Sequence, residues 1–338
     1  MRLTKLTSLR EHEVFKIERF LLTAGCSFNS IYSSPRWARR MLSRYGIDYS
    51  YIIVEDQAGE ILALLMLQQG FRGWERFRNL GPIIGKFFAG VSKLFFSYKY
   101  WMAPIHLRQG LSPSDRQCCK HLIYKAVFQS SPRIFPSPIE EGDKIFFLGC
   151  NFKTWGTSII NLGSGLQSAL KGFKRQAARP INHAEKVGVV VREVKCEELI
   201  SVSSFMNLHA EYNNKVLFDK SIQSLTEDFL SLNGGNYFFA IFVALYQGEI
   251  VATMGVYGHG HMVSEWGVFN SPKAKSEKLY PQDLIKKYIL QYCIENQIHK
   301  FDLAGFNPAD SISEKELGIK NFKRKFGGSD FIYTLVSN

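Results

Sequence analysis

Apolar residues recur at helical spacing through the N-terminal stretch, at Leu9, Val14, Ile17, Phe20 and Leu21. This predicts an amphipathic helix over Leu9 to Ala24. Ser34 before Pro35 reads as an N-cap with proline in the first turn, so a second helix is expected over Pro35 to Arg44. The strings YSYIIVED and EILALLMLQQ, joined at Gln57-Ala58-Gly59, then read as a hairpin. The second half repeats this order. Helices are expected around Val202 to Tyr212 and Ser224 to Leu232, followed by YFFAIFVALY, a turn at Gln247-Gly248, and EIVATMGVYG. The two hairpins share a local string, GEILA at Gly59–Ala63 and GEIVA at Gly248–Ala252. Five residues alone say little, but the shared order of helix, strand, Gly-Glu turn and strand argues for duplicated α/β units. A boundary is expected within Thr157 to Leu170, dividing residues 1–160 from 161–338.

Beyond the second hairpin, HMVSEWGVF reads as a strand, Leu279 to Asn296 as a long amphipathic helix, and HKFDLAG as a strand ending at Gly305. Glu314 to Lys325 reads as a last helix closed by Gly327 and Gly328, and FIYTLV as a last strand. The expected fold class is α+β, two domains, each a mixed and mostly antiparallel sheet flanked by helices.

Composition narrows the function classes. With 46% apolar and 21% charged residues over 338 positions, the chain can bury a core, and disorder is excluded as its default state. A formal net charge of +12 suits a polyanionic partner: nucleic acid, a nucleotide-linked substrate, or an anionic membrane face. The six cysteines show no CxxC pairing and no histidine at zinc-ligand spacing, so reduced thiols in a cytoplasmic protein are expected. His209, His259, His261 and His299 do not make a metal set, and neither metal nor cofactor is expected. The N-terminus lacks the apolar core of a signal peptide, and the longest apolar run, Tyr237 to Tyr246, is too short to span a bilayer. Any membrane contact is therefore expected to be peripheral, at the inner face.

The string GIKNFKRKFGG is the most distinctive in the chain. Lys320, Lys323, Arg324 and Lys325 cluster there, and Phe322 and Phe326 share one helical face. One reading is a helix anchored by two phenylalanines with solvated lysines. The other turns Lys323 into a cleft beside Phe322, where it neutralises a phosphate or an oxyanion while the ring offers a stacking face. Upstream, Lys171, Lys174, Arg175 and Arg179 recur at helical spacing and make a positive stripe, with Pro180 expected to interrupt the helix so that Arg179 starts a new turn. Asp302, at a strand end, reads either as an acid–base group or as a cap for the next segment.

These strings resemble the FemAB peptidyltransferase family. Phe301-Asp302-Leu303-Ala304-Gly305 is similar to that family's strand end, Phe322-Lys323-Arg324-Lys325-Phe326 to its Phe-Lys segment, and Lys171–Val194 to its basic helix. PRWARRMLSRYG with the first hairpin resembles the family's tryptophan-bearing helix. The resemblance implies two GNAT-like domains with a cleft across them, and transfer of an amino acid from aminoacyl-tRNA to an amine of a peptidoglycan precursor or a similar peptide. By position it implies Phe322 and Lys323 near the transfer centre, where Asp302, the acid–base candidate read from the strand end, is expected to join them. It assigns Tyr257, Lys220, Arg39, Arg40 and Trp37 to the acceptor, and Lys174, Arg175, Arg179, Lys320, Arg324 and Lys325 to tRNA or another anion. The chain departs from the family in lacking a long helical arm and in having Ala304 where glycine is usual. The alternative is a GNAT-type N-acyltransferase using acyl-CoA or an acyl carrier on a cell-envelope sugar or polymer. A GNAT enzyme grips the CoA pyrophosphate with a glycine-bearing loop after its third strand. Here Phe269 to Ser276 holds no glycine, which argues against CoA.

Overall fold

The computed structural model describes all residues except 26–27, 72–96, 130–132, 216–220 and 310–312. The chain divides into two compact units, Met1–Trp155 with Tyr333–Asn338, and Gly156–Ile332. The division falls before the expected position at 160/161, and the last residues rejoin unit 1. The reason is local: one unbroken strand, Asn151–Asn161, runs through the division, so no linker composition marks it.

Unit 1 carries β1 (Arg2–Leu6), α1 (Glu11–Thr23), β2 (Ala24–Gly25), α2 (Pro35–Tyr45), β3 (Asp48–Glu55), β4 (Ile61–Phe71), β5 (Ser97–Tyr100), β6 (His106–Arg108), α3 (Pro113–Phe128) and β7 (Ser137–Ile139). Its sheet runs β1-β3-β4-β6-β2 with β5 also on β4, and the pairings among these strands are antiparallel. Helix α2 starts as its sequence requires: the Ser34 side chain accepts from the Trp37 amide, Pro35 fills the first turn, and Gly46 closes it in the left-handed region. Helix α3, which no sequence expectation covered, lays Cys119, Ile123, Tyr124 and Val127 on Ile52, Val54, Leu62 and Leu65. Strand β7 pairs with Thr334–Val336.

Unit 2 carries β8 (Asn151–Asn161), α4 (Leu166–Lys171), α5 (Arg175–Lys186), β9 (Val190–Glu193), α6 (Leu199–Leu208), α7 (Ile222–Ser231), β10 (Tyr237–Tyr246), β11 (Glu249–His259), β12 (Met262–Asn270), α8 (Pro272–Ser276), α9 (Pro281–Glu295), β13 (Lys300–Phe306), α10 (Glu314–Arg324) and the start of β14 (Ser329–Ser337), which passes into unit 1 at Tyr333. The strands lie in the order β14-β8-β13-β12-β11-β10-β9. Strands β9 to β12 are antiparallel, whereas β12 and β13 are parallel, joined by the crossover through α9 that parallel neighbours need. Residues Ala177, Ile181 and Ala184 of α5 and Ile285, Ile289 and Leu290 of α9 pack with Ala240, Val256 and Phe301 into one core. The hairpin strings of the two units mark equivalent turns, with Gly59 at φ 78 and Gly248 at φ 83.

The interruption expected at Pro180 lies elsewhere. Helix α5 runs from Arg175 through Pro180 to Lys186, and the break falls between α4 and α5 at 172–174. Close to the helix start, proline removes one backbone bond, and the burial of Ala177, Ile181 and Ala184 offsets that loss. Lys171 therefore ends α4, and the positive stripe is shared between two helices.

Candidate active site

Strands β12 and β13 are paired only over Met262–Ser264 and Lys300–Asp302. Beyond that point they part: β12 continues along β11, while Gly305 and Phe306 pair with Thr157 and Gly156 of β8. Helices α9 and α10 bring their side chains to this opening, and four ionisable groups meet there.

Asp302 sits at the parting and holds three strands. One carboxylate oxygen accepts from the Thr157 hydroxyl and from the Ala304 amide at 2.8 Å, and the other accepts from Ser264 at 3.0 Å. Burial raises its proton affinity, against the pull of those donors and of Lys323. Ala304 takes φ 61, and its carbonyl lies 2.8 Å from the Thr157 hydroxyl, which shares its one hydrogen between this oxygen and Asp302. This left-handed backbone is one that glycine adopts without strain and alanine does not.

Lys323 is 7% exposed and donates to the Gly305 carbonyl at 2.9 Å. Glu265 Oε1 lies 3.8 Å from its ammonium, while Glu265 Oε2 accepts from Lys286, which is 1% exposed. Burial lowers the proton affinity of Lys323, and the Lys286 charge adds to the effect, while Glu265 and Asp302 oppose it. Lys286 is further enclosed by the rings of Phe301, Phe322 and Phe326, with centroids 5.4–5.9 Å from its nitrogen.

Phe322 and Phe326 do share one face, 5.3 Å apart, and that face is turned inward. Lys320, Lys323 and Lys325 are not left to solvent, contrary to the plainer sequence expectation. Lys320 donates to the Pro308 carbonyl at 2.9 Å, and Lys325 pairs with Asp283 at the start of α9 and lies 4.2 Å from the Phe322 centroid. Arg324 donates to Asp330 at 2.9 Å. Of the six cations expected to meet an anion, these three have partners inside unit 2, whereas Lys174, Arg175 and Arg179 are exposed around the start of α5. The glycines after α10 are needed by the packing. A Cβ on Gly327, at φ 74, would stand 2.2 Å from the Gly172 carbonyl oxygen, and one on Gly328 would stand 2.6 Å from Ser158 Oγ.

Tyr257, on β11 opposite Ser264, is half-buried with its ring 6.4 Å from Trp266. Trp37, Arg39 and Arg40 belong to α2 of unit 1. Trp37 is buried with its ring 5.4 Å from Tyr32, the Arg40 guanidinium lies 4.8 Å over it, and Arg39 is exposed. Lys220 lies outside the described residues. Glu265 and Lys286 were missed by sequence reasoning. Their signal was present: a glutamate inside the apolar strand MVSEWGVF, and a lysine on the same helical face as Ile289 and Leu290. Among the described residues, no group of three or more His, Cys, Asp or Glu is placed to hold a metal, and no helix is long and apolar enough to cross a membrane.

The parallel strand pair that parts over a buried ammonium lies in a chain whose fold is tandem GNAT-like. The FemAB family model matches residues 267–334, the stretch holding β13, α10 and the Phe322-Lys323 pair, so this part of the chain is similar to that family. The fold agrees. FemX superposes with a TM-score of 0.68 at 12% identity, covering 98% of this chain and 96% of that one. L-PGS from Bacillus licheniformis gives 0.56 at 14%, covering 96% and 91%, and a tandem GNAT protein from the clavulanic acid biosynthesis pathway gives 0.51 at 8%, covering 99% and 97%. No curated protein matches by sequence. The resemblance read from the strand end and the Phe-Lys segment is borne out.

Proposed function

We propose that this protein moves an amino acid from aminoacyl-tRNA to an amine of a peptide acceptor, a peptidoglycan precursor or a similar peptide. The observation that carries the reading is the place of Lys323. Its ammonium is withdrawn from solvent, bonded to the Gly305 carbonyl at the parting of β12 and β13, within the segment that matches FemAB.

Ester aminolysis needs no covalent enzyme intermediate. The acceptor nitrogen attacks the ester carbonyl carbon, a C–N bond forms, and the carbonyl oxygen gathers negative charge. Collapse breaks the ester C–O bond, and the terminal ribose oxygen of the tRNA leaves with the proton that the amine gives up. The demands are proximity and a positive charge where the oxyanion forms, and Lys323 supplies that charge. Asp302, with both oxygens engaged, positions the strand end that carries Gly305 and does not exchange protons. The exposed Lys174, Arg175 and Arg179 meet the tRNA backbone, and Tyr257 meets the acceptor. The reaction takes place in the cytoplasm.

Two features favour this donor over acyl-CoA. The stretch after β12, residues 269–276, holds no glycine to let a pyrophosphate approach the backbone. The first turn of α9 already carries the Asp283 carboxylate paired with Lys325, where a CoA pyrophosphate would seek a helix N-terminus. The test offers the purified protein tRNA charged with a labelled amino acid, or labelled acyl-CoA, beside a peptidoglycan-precursor peptide. Label passing from tRNA to the peptide amine is expected. Label passing only from acyl-CoA would overturn the reading.

A further inference from the structure

Two ammonium groups share one carboxylate in the interior of unit 2. Glu265 gives one oxygen to Lys286 and presents the other to Lys323 at the longer distance of 3.8 Å. Lys286 cannot swing away, because it is closed in by Phe301, Phe322 and Phe326 and by the Met254 sulfur at 3.6 Å. Lys323 is aimed elsewhere, at the Gly305 carbonyl. The charged groups facing Lys323 are Glu265 from β12, Asp302 from β13 and Lys286 from α9. Asp302 is already engaged with Thr157, Ser264 and the Ala304 amide. Behind Lys286 stands Asp283, one turn earlier on α9, which is paired with Lys325 of α10. The arrangement is therefore a chain of pairs in which Lys323 is the cation with the weakest counter-charge.

We propose that Lys286 and Glu265 are positioning residues for Lys323: the caged Lys286 holds Glu265 to itself, so that the Lys323 ammonium is directed onto the Gly305 carbonyl and its charge is set by the pair. The inference rests on the proposed function, since it concerns the same ammonium group. It also gives Phe322 a definite part. Its ring is one wall of the Lys286 cage, which ties the phenylalanine of the Phe-Lys pair to the behaviour of the lysine beside it. Moving that ring releases Lys286, frees Glu265 and pulls Lys323 off the strand end.

The burial of Lys323 next to a like charge lowers its proton affinity, and this gives the test a readout that needs no substrate. Protein carrying ¹³C,¹⁵N-lysine is titrated by NMR, with the Lys323 ammonium signal identified by its loss in Lys323→Arg. In the wild type, Lys323 is expected to titrate below an ordinary lysine. In Lys286→Met, a like charge is gone and Glu265 is released, so the midpoint rises by about one pH unit or more. In Glu265→Gln the midpoint falls by a similar amount, and in Lys286→Arg it stays within about half a unit. Midpoints unmoved in both Lys286→Met and Glu265→Gln would overturn the proposal. Should Lys286→Met fail to fold, the near-isosteric Glu265→Gln decides alone, and an unmoved midpoint there has the same force. The transfer assay with Lys323→Met judges the function and this titration judges the positioning, so either can fail without the other.

Discussion

Replacing Lys323 by methionine removes one ammonium while keeping most of the stem. The structure sets both sides of the stability balance. The variant loses one hydrogen bond to the Gly305 carbonyl, at 2.9 Å, and a loose contact with Glu265 at 3.8 Å. A hydrogen bond from a charged group contributes about 1.5–3 kcal/mol. Against it stands the relief of no longer burying a charge, and Glu265 keeps Lys286 as its partner. The net change is expected to stay within about 1 kcal/mol, a shift of a few degrees in Tm. Transfer should respond very differently, because a single oxyanion donor in a preorganised site contributes roughly 10²–10³ in rate. Single-turnover transfer from labelled aminoacyl-tRNA, run beside a thermal melt, separates the two effects. A variant that transfers within about threefold of the wild type would refute the assignment, given that expectation. The sign of the pH dependence follows from the lowered proton affinity of Lys323. Transfer that needs the charged form should decline on the alkaline side, at a pH below the ordinary lysine value. Between the folded and unfolded midpoints the unfolded chain binds the extra proton, so this group adds stability as pH rises through that window, and Lys323→Met should lose that slope.

Ala304→Gly should raise stability by about 1 kcal/mol in denaturant unfolding, since φ 61 is strained for alanine. Gly327→Ala should cost on the order of 3 kcal/mol or more, through both its φ of 74 and the approach of Gly172, and the same unfolding measurement reads it. Asp302→Ala should destabilise by about 3 kcal/mol, because it removes the buried carboxylate that accepts from the Ala304 amide, Thr157 and Ser264. Neutralising Lys174, Arg175 and Arg179 together should weaken tRNA binding and flatten its salt dependence by about two in the log–log slope, as read by filter binding between low and moderate salt.

The parts of the fold that were legible in the sequence are those where local chemistry decides the outcome. The Ser34-Pro35 start of α2, the glycine turns at Gly59 and Gly248, and the apolar run that became β10 all sit where the pattern placed them. The unit division was displaced because β8 is continuous through it and carries no compositional change. Helix α3 escaped because its apolar residues mix with Lys120, His121 and Lys125 along one stretch. Lys120 is in fact buried, bonded to Asp143 at 2.7 Å and to Glu140 at 2.6 Å, which are partners that no local reading supplies.

The same physics limits what could be read of the site. A basic string looks alike whether its lysines face solvent or each has a buried partner, because the partner is distant in sequence. Lys323 meets Glu265, Lys325 meets Asp283, and Lys320 meets a backbone carbonyl, across loops that only the fold brings together. Charge tolerated inside a core needs compensation, so a lysine on an apolar face such as Lys286 demands an acid somewhere. The acid was also visible, as Glu265 within an otherwise apolar strand. Neither residue could be paired with the other until β12 and α9 were known to be adjacent in space. Two misplaced opposite charges, each breaking the pattern of its own element, are thus best read as candidates for one another. Here that pairing leads to the ammonium of Lys323, the group on which the proposed chemistry turns.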